Sequence, residues 1–230
     1  MLNVPTALYF MVANTKLVAE LKIKKEVSSM TVLVTGFDPF GGEKRNPSAE
    51  VVERLSDRIA GAEIVKVILP TVRYRAPQLA WERIEKHRPD AVLSIGQAGG
   101  RAAVTVERVA VNLDDYRIPD NEGNRPTDEP VVPGGPDGYL TNLPVKAMVE
   151  AIRARGIPAE VSLSAGTFVC NHLLYSLRYR LEQKYPGTGC GFIHIPWLPE
   201  QVLDKPGQPS MPLELSVRAV TAAIETLVTI

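Results

Sequence analysis

Glu160-Val161-Ser162-Leu163, Ser164-Ala165-Gly166-Thr167, and then Val169 through Lys184 with Leu173, Leu177 and Leu181 on one face: this stretch reads as strand, turn and helix. The first four residues carry β-compatible side chains. The next four are small or turn-forming. The leucines that follow recur at helical spacing. On the C-terminal side, Gly191–Ile195 is a short apolar strand and Leu215–Leu227 a closing helix. On the N-terminal side, Leu143–Arg155 is a helix closed by Gly156.

The same alternation runs back to the start of the apolar pattern. Thr31–Val34 predicts a buried strand ending at Gly36, followed by the loop Phe37-Asp38-Pro39-Phe40-Gly41-Gly42. Asn46 then serves as an N-cap with Pro47 at the first helical position, and Val52, Leu55 and Ile59 continue at helical spacing. Ile64–Leu69 is a second strand, Gln78–His87 a helix stopped before Pro89, and Ala91–Ile95 a third strand running into Gly96-Gln97-Ala98-Gly99-Gly100. Val104–Leu113 reads as one further strand. Asp114 to Pro136, rich in Asp, Asn, Gly and Pro, is too long for a simple connection, and loops of that length are usually functional or disordered. Alternating strands and helices predict an α/β three-layer sandwich: a twisted, mixed and largely parallel sheet with helices on both faces.

Composition narrows the function. In 230 residues, Lys plus Arg equals Asp plus Glu at 26 each, so no basic excess points to nucleic acid. No run of about 18 apolar residues predicts a membrane span. Two cysteines, Cys170 and Cys190, make no disulfide framework, and the pattern reads as cytoplasmic. Residues 1–29 are taken as an N-terminal extension, with Met30 as the working start of a single catalytic domain over 30–230. Pro5–Ala13 is apolar but lacks the charged flank and cleavage site of a signal peptide, and Leu17–Val27 has the makeup of a short amphipathic helix.

Gly96–Gly100 lacks the spacing of a dinucleotide fingerprint, and no Walker lysine follows. Of the cysteines and histidines, only Cys170 and His172 approach a metal-ligand spacing, and a helix sends those two apart. Cys170 lies in the first turn of a helix after a strand and a small-residue turn, where the helix N-terminus favours a thiolate and backbone N–H groups face a developing oxyanion. The competing reading is a structural buried cysteine. A thiolate nucleophile wants an imidazole. His172 points away along the helix, and His87 sits in the charged helix end Glu85–Pro89. His194, near the end of the strand Phe192–Ile195, is either a satisfied core residue or a base, and it is the best partner by elimination. Glu107 is a carboxylate on an apolar strand face shared with Thr105, Val109 and Val111. It either pairs with Arg101 or Arg108 structurally or accepts the imidazole N–H of His194.

Those residues stand within a larger pattern. Gly36–Gly42 with Asn46-Pro47-Ser48, Gly96–Arg101, Glu107–Asn112, Arg117–Gly123, Ser164–His172, Gly191–Pro196 and Pro199-Glu200-Gln201 together resemble the pyroglutamyl peptidase I family, also called pyrrolidone-carboxylate peptidase, in one register from Met30 onward. The resemblance implies a cysteine peptidase with a triad of Glu107, Cys170 and His194. It implies a ring pocket at Phe37, Phe40, Thr71, Ile118, Phe168 and Val169, bordered by Asn46. Backbone groups near Gln97 would hold the lactam, and Arg117 would lie close to the oxyanion together with Cys170. It further implies peptides with N-terminal pyroglutamate as substrates, no metal or cofactor, and a homotetramer. Cys190 has no role in the pattern and reads as structural. Alternatives are an amidase or lactamase for another cyclic amide, and a non-catalytic binder of small cyclic ligands.

Overall fold

The computed structural model describes residues 30–229, so the reading of the N-terminal extension lies outside the described residues. Strand β1 (Thr31–Phe37) is followed by α1 (Pro47–Arg54), β2 (Arg58–Ile59), β3 (Ala62–Leu69), α2 (Arg75–His87) and β4 (Ala91–Gln97). Then come β5 (Val104–Glu107), β6 (Val109–Val111), β7 (Gly138–Leu140), α3 (Val145–Ala154), β8 (Ala159–Ser162), α4 (Val169–Lys184), β9 (Gly189–Ile195), a 3-10 turn at Pro199–Gln201 and α5 (Leu213–Val228). Seven strands form one sheet in the order β2-β3-β1-β4-β9-β5-β8, and β6 and β7 form a separate hairpin-like pair. Strands β3, β1, β4 and β9 are mutually parallel, β5 runs antiparallel to β9 and parallel to β8, and β2 is antiparallel to β3. The sheet is thus mixed and largely parallel, as expected.

Period-two alternation assigns the two faces. Val32, Val34, Leu93, Ile95, Ile193 and Ile195 pack on one side with α1, α3 and α5. Leu33, Val92 and Phe192 pack on the other with α2 and α4. Helix α4 forms where the leucine spacing placed it, and Leu173, Leu177 and Leu181 are fully buried. Each such side chain contributes about 1.5–3 kcal/mol relative to exposure. The turn before it needs Gly166, which sits at φ 77, a left-handed conformation that a side chain would strain.

Two sequence expectations change, and the long loop keeps its irregular character. The strand expected over 104–113 breaks at Arg108. Its N–H still bonds Ser162 in the main sheet, but its carbonyl accepts from Thr141, and the chain leaves to pair with β7. Val109 and Val111 therefore do not continue the face of Glu107. Helix α1 ends at Arg54, and Ile59 belongs to β2, because the chain turns through Ala60 and Gly61 into β3. The Asp114–Pro136 segment has no helix or strand, yet it is tied down by an Asp114–Glu129 bridge and by Asp120, whose carboxylate accepts from the N–H groups of Arg73, Glu122 and Asn124.

Candidate active site

His194 is carried on β9, at the centre of the sheet. Its neighbours Ile193 and Ile195 point to the α5 side, so His194, like Phe192, points toward α4. Across one ladder it pairs with Thr105 of β5, and across the other with Gly96 of β4. Two residues beyond Thr105, Glu107 lies fully buried, and His194 Nδ1 lies 2.8 Å from its Oε1. An ionised carboxylate only accepts, so Nδ1 carries the proton and Nε2 is left as the basic nitrogen.

Cys170 is the second residue of α4, in the helical turn whose N–H groups have no intrahelical acceptor. It is half-buried on the wall of a cavity of about 930 Å³ that His194 also lines. Gly96 makes this approach possible. A methyl group at that position would come within 2.9 Å of Cys170 Sγ and 2.9 Å of the Phe192 ring. The residue beside His194 in the sheet is therefore the one on which the thiol rests.

The electrostatics are those of a neutral resting pair. Burial pushes the Cys170 thiol up to about 12, the Glu107 charge adds to this, and Arg101 opposes it. Burial likewise lowers His194, against the hydrogen bond and charge of Glu107. Burial would raise the Glu107 carboxyl, but its bonds to His194 and Arg101 outweigh that and hold it below the usual carboxylate range. Burial is the largest influence on the Cys170 thiol and acts against a thiolate.

Of the residues expected in the pocket, Phe37, Phe40, Asn46, Thr71, Gln97, Arg117, Ile118 and Phe168 all line the cavity. Val169 does not: it is fully buried in the core beneath, among the α2-side residues. Phe168 packs between Phe40 and Tyr116 with its ring tilted against both, the centroids 5.9 and 4.6 Å away. Asn46 caps α1 by accepting from Ser48 N–H and also donates to the Asp38 carbonyl. Thr71 donates from its N–H to the Asp38 carboxylate. The loop that holds Phe40 is thus pinned from two sides.

His172 turns away from the cavity, as expected, and its Nδ1 lies 2.7 Å from Asp114 Oδ2 in the core. Asn171 bonds the backbone of Val111 and Leu113. The two residues after Cys170 clamp α4 to the segment that leads to Arg117 and Ile118. Cys190 is fully buried, with its thiol also pushed up to about 12 by burial. Among the described residues, no cluster of three or more His, Cys, Asp or Glu could hold a metal ion. Two contributors escaped the sequence reading: Gly96 as a steric notch and Trp197 on the cavity wall. Arg101, one of the two arginines named for Glu107, is bonded to it at 2.6 Å.

The chain matches the profile of the family described as "Pyroglutamyl peptidase" over residues 30–229. A pyrrolidone-carboxylate peptidase of Levilactobacillus brevis is 53% identical over 199 residues, covering 86% of this chain and 98% of that relative. One from Streptococcus suis is 55% identical, over 86% of this chain and 93% of the relative. Among solved structures, pyroglutamyl peptidase I of Bacillus amyloliquefaciens superposes with a TM-score of 0.85 at 48% identity, over 88% of this chain and 98% of that one. A mutant pyrrolidone carboxyl peptidase from Pyrococcus furiosus gives 0.83 at 42% identity, over 86% and 97%.

Proposed function

The chain belongs to the pyroglutamyl peptidase family, a family of cysteine peptidases, and from that premise we propose that it hydrolyses the bond after an N-terminal pyroglutamyl residue through Cys170, His194 and Glu107. The observation that carries this reading is the arrangement at the sheet centre. His194 is oriented by Glu107 at 2.8 Å, and Cys170 Sγ rests on Gly96, the strand neighbour of His194.

In this mechanism His194 Nε2 takes the Sγ proton as sulfur attacks the carbonyl carbon between pyroglutamate and the next residue. The oxyanion faces the Cys170 N–H, with Arg117 nearby on the cavity wall. The tetrahedral intermediate collapses to a thioester, and His194 gives its proton to the leaving amine. A water then attacks the thioester, its proton passes to His194, and pyroglutamate leaves as the thiol is re-protonated. Glu107 stays ionised throughout and balances the transient imidazolium. Because thiol and imidazole are both neutral at rest, substrate binding precedes charge separation.

The aromatic wall sets selectivity. Phe37, Phe40, Phe168 and Ile118 offer apolar surface to a flat ring, and Gln97 and Thr71 offer polar partners for a lactam. N-terminal proline or glutamate would bring an ammonium into that wall, which is costly to bury unpaired. With aminomethylcoumarin amides we expect kcat/KM for pyroglutamyl to exceed prolyl and glutamyl by about a thousandfold or more. Comparable values would refute the pocket and favour a broader aminopeptidase. Activity on other cyclic amides but not on pyroglutamyl peptides would favour an amidase. No helix among the described residues is long and apolar enough to cross a membrane. The same reading includes a homotetramer, no cofactor, and a cytoplasmic setting that keeps the free Cys170 reduced.

Gly96 supplies a further test. Replacing it with alanine forces either Sγ, on the cavity wall, or the fully buried Phe192 ring to move. A displacement of the nucleophile by about 1 Å costs on the order of 10²-fold in rate. We expect that loss in kcat for Gly96→Ala, with the thermal transition retained. Parental kinetics would show that the neighbours yield without moving the thiol.

A further inference from the structure

We propose that Arg101 is a positioning residue of this site, whose guanidinium locks the acid of the triad and the turn that carries the nucleophile into one geometry. The inference rests on the assignment of Glu107, Cys170 and His194 made above. Arg101 comes from the connection between β4 and β5 and lines the cavity. Its Nη1 donates to Glu107 Oε1 at 2.6 Å and also to the Thr105 hydroxyl. Its Nη2 donates to the Ser164 carbonyl at 3.0 Å, at the start of the turn that runs into α4. One side chain thereby ties three separate chain segments together. A planar fork with fixed donor directions can do this, whereas the single ammonium of lysine cannot reach both sides at once.

An exposed ion pair is worth little, and this one differs from that case. Glu107 is fully buried, and the Arg101 side chain is only 29% exposed. Both donors that touch the carboxylate, His194 and Arg101, converge on Oε1, while Oε2 has no hydrogen-bond partner among the described residues. Without Arg101 the carboxylate would be held by His194 and, more loosely, by Thr105 at 3.4 Å. It could then swing to present Oε2 and carry the imidazole with it. The Ser164 turn would lose its tie in the same event, and with it the approach of Cys170 to Gly96.

The charges that face the thiol make the role measurable. Glu107 from β5 opposes thiolate formation and Arg101 favours it. His194 approaches from β9. On the cavity wall, Glu43 and Lys205 pair with each other at 3.1 Å, and Asp115 and Arg117 complete the set. Removing Arg101 takes away the cation that draws the thiol down.

The test uses the full chain with Arg101→Met and Arg101→Lys, with folding checked by circular dichroism. Two readouts are taken: kcat and KM on a pyroglutamyl aminomethylcoumarin amide, and the pH dependence of Cys170 alkylation by iodoacetamide, mapped by mass spectrometry. For Arg101→Met we expect kcat to fall about 10²-fold with KM within about threefold, and the alkylation inflection to move to higher pH. Millimolar guanidinium should restore part of the lost turnover. Arg101→Lys keeps the charge but not the fork, and should still lose about tenfold in kcat. Should the methionine variant fail to fold, the lysine variant decides. A kcat within about threefold of the parent in the folded variants, with an unmoved inflection, would overturn the proposal. If the parent chain itself fails to cleave the pyroglutamyl amide, the peptidase reading falls, and the alkylation profile still decides the role of Arg101.

Discussion

Cys170→Ala is expected to lower turnover of a pyroglutamyl amide by on the order of 10⁴-fold or more, because in the proposed mechanism it removes the sulfur that forms the covalent intermediate. The second cysteine cannot substitute for it. Cys190 sits fully buried on β9, packed beneath α4. The helix start tolerates alanine, which has the best intrinsic helix propensity, and the change removes one sulfur from a half-buried position without stranding a polar group. Folding should therefore survive, and the thermal transition should stay close to that of the parent. Steady-state kinetics with circular dichroism checks both halves. Activity within tenfold of the parent, in a folded product, would sink the assignment of the nucleophile.

His194→Ala comes next in size, with an expected loss of about 10³–10⁴-fold in kcat/KM. The resting thiol is protonated, so without a base attack must begin from the far weaker neutral sulfur. Glu107 would remain ionised beside Arg101, leaving the rest of the site charged but inert. His172→Ala is the matched control. It removes a buried imidazole from Asp114, which keeps Arg73 at 2.7 Å, so it should cost stability more than chemistry. A larger kinetic loss at His172 than at His194 would reverse the assignment. The base must be neutral to accept a proton, and burial places His194 below its ordinary value of 6.5. The acid limb of the kcat/KM profile should accordingly lie below about pH 6.5 in the parent, and it should vanish from the residual activity of His194→Ala.

Helix α4 and the central strands were legible because they announce themselves locally. Leucines at helical spacing, Asn46 ahead of Pro47, and apolar runs closed by glycine are each a short-range signal. Cys170 and His194 were readable for the same reason, one at a helix start and the other inside an apolar strand. Glu107 was readable only as an alternative, since nothing local distinguishes an imidazole partner from an arginine partner. The structure gives it both. The break at Arg108 was hidden because continuing alternation through Val109 and Val111 looks like one strand. The cause lies in β7 and in Asn171, remote in sequence. Val169 was placed at the pocket by the family resemblance, but successive residues at a helix start point in different directions, and it faces the core. Gly96 was visible only as part of a glycine-rich turn. Its meaning is the absence of a side chain opposite Cys170, a relation between residues on two separate elements.

The position of β9 also bears on how the molecule comes into being. Ala91 of β4 waits for Gly189 of β9 as its partner, and β5 likewise meets β9 through Thr105 and His194. Until β9 has left the ribosome, the sheet is two unjoined pieces, β2-β3-β1-β4 and β5-β8, with exposed edges facing each other. Joining them closes a loop of large entropic cost, and contacts so distant in sequence form slowly. Glu107 and Cys170 are synthesised earlier but have no His194 beside them during that interval. In the proposed mechanism the nascent chain therefore has no competent thiol chemistry until its sheet is assembled.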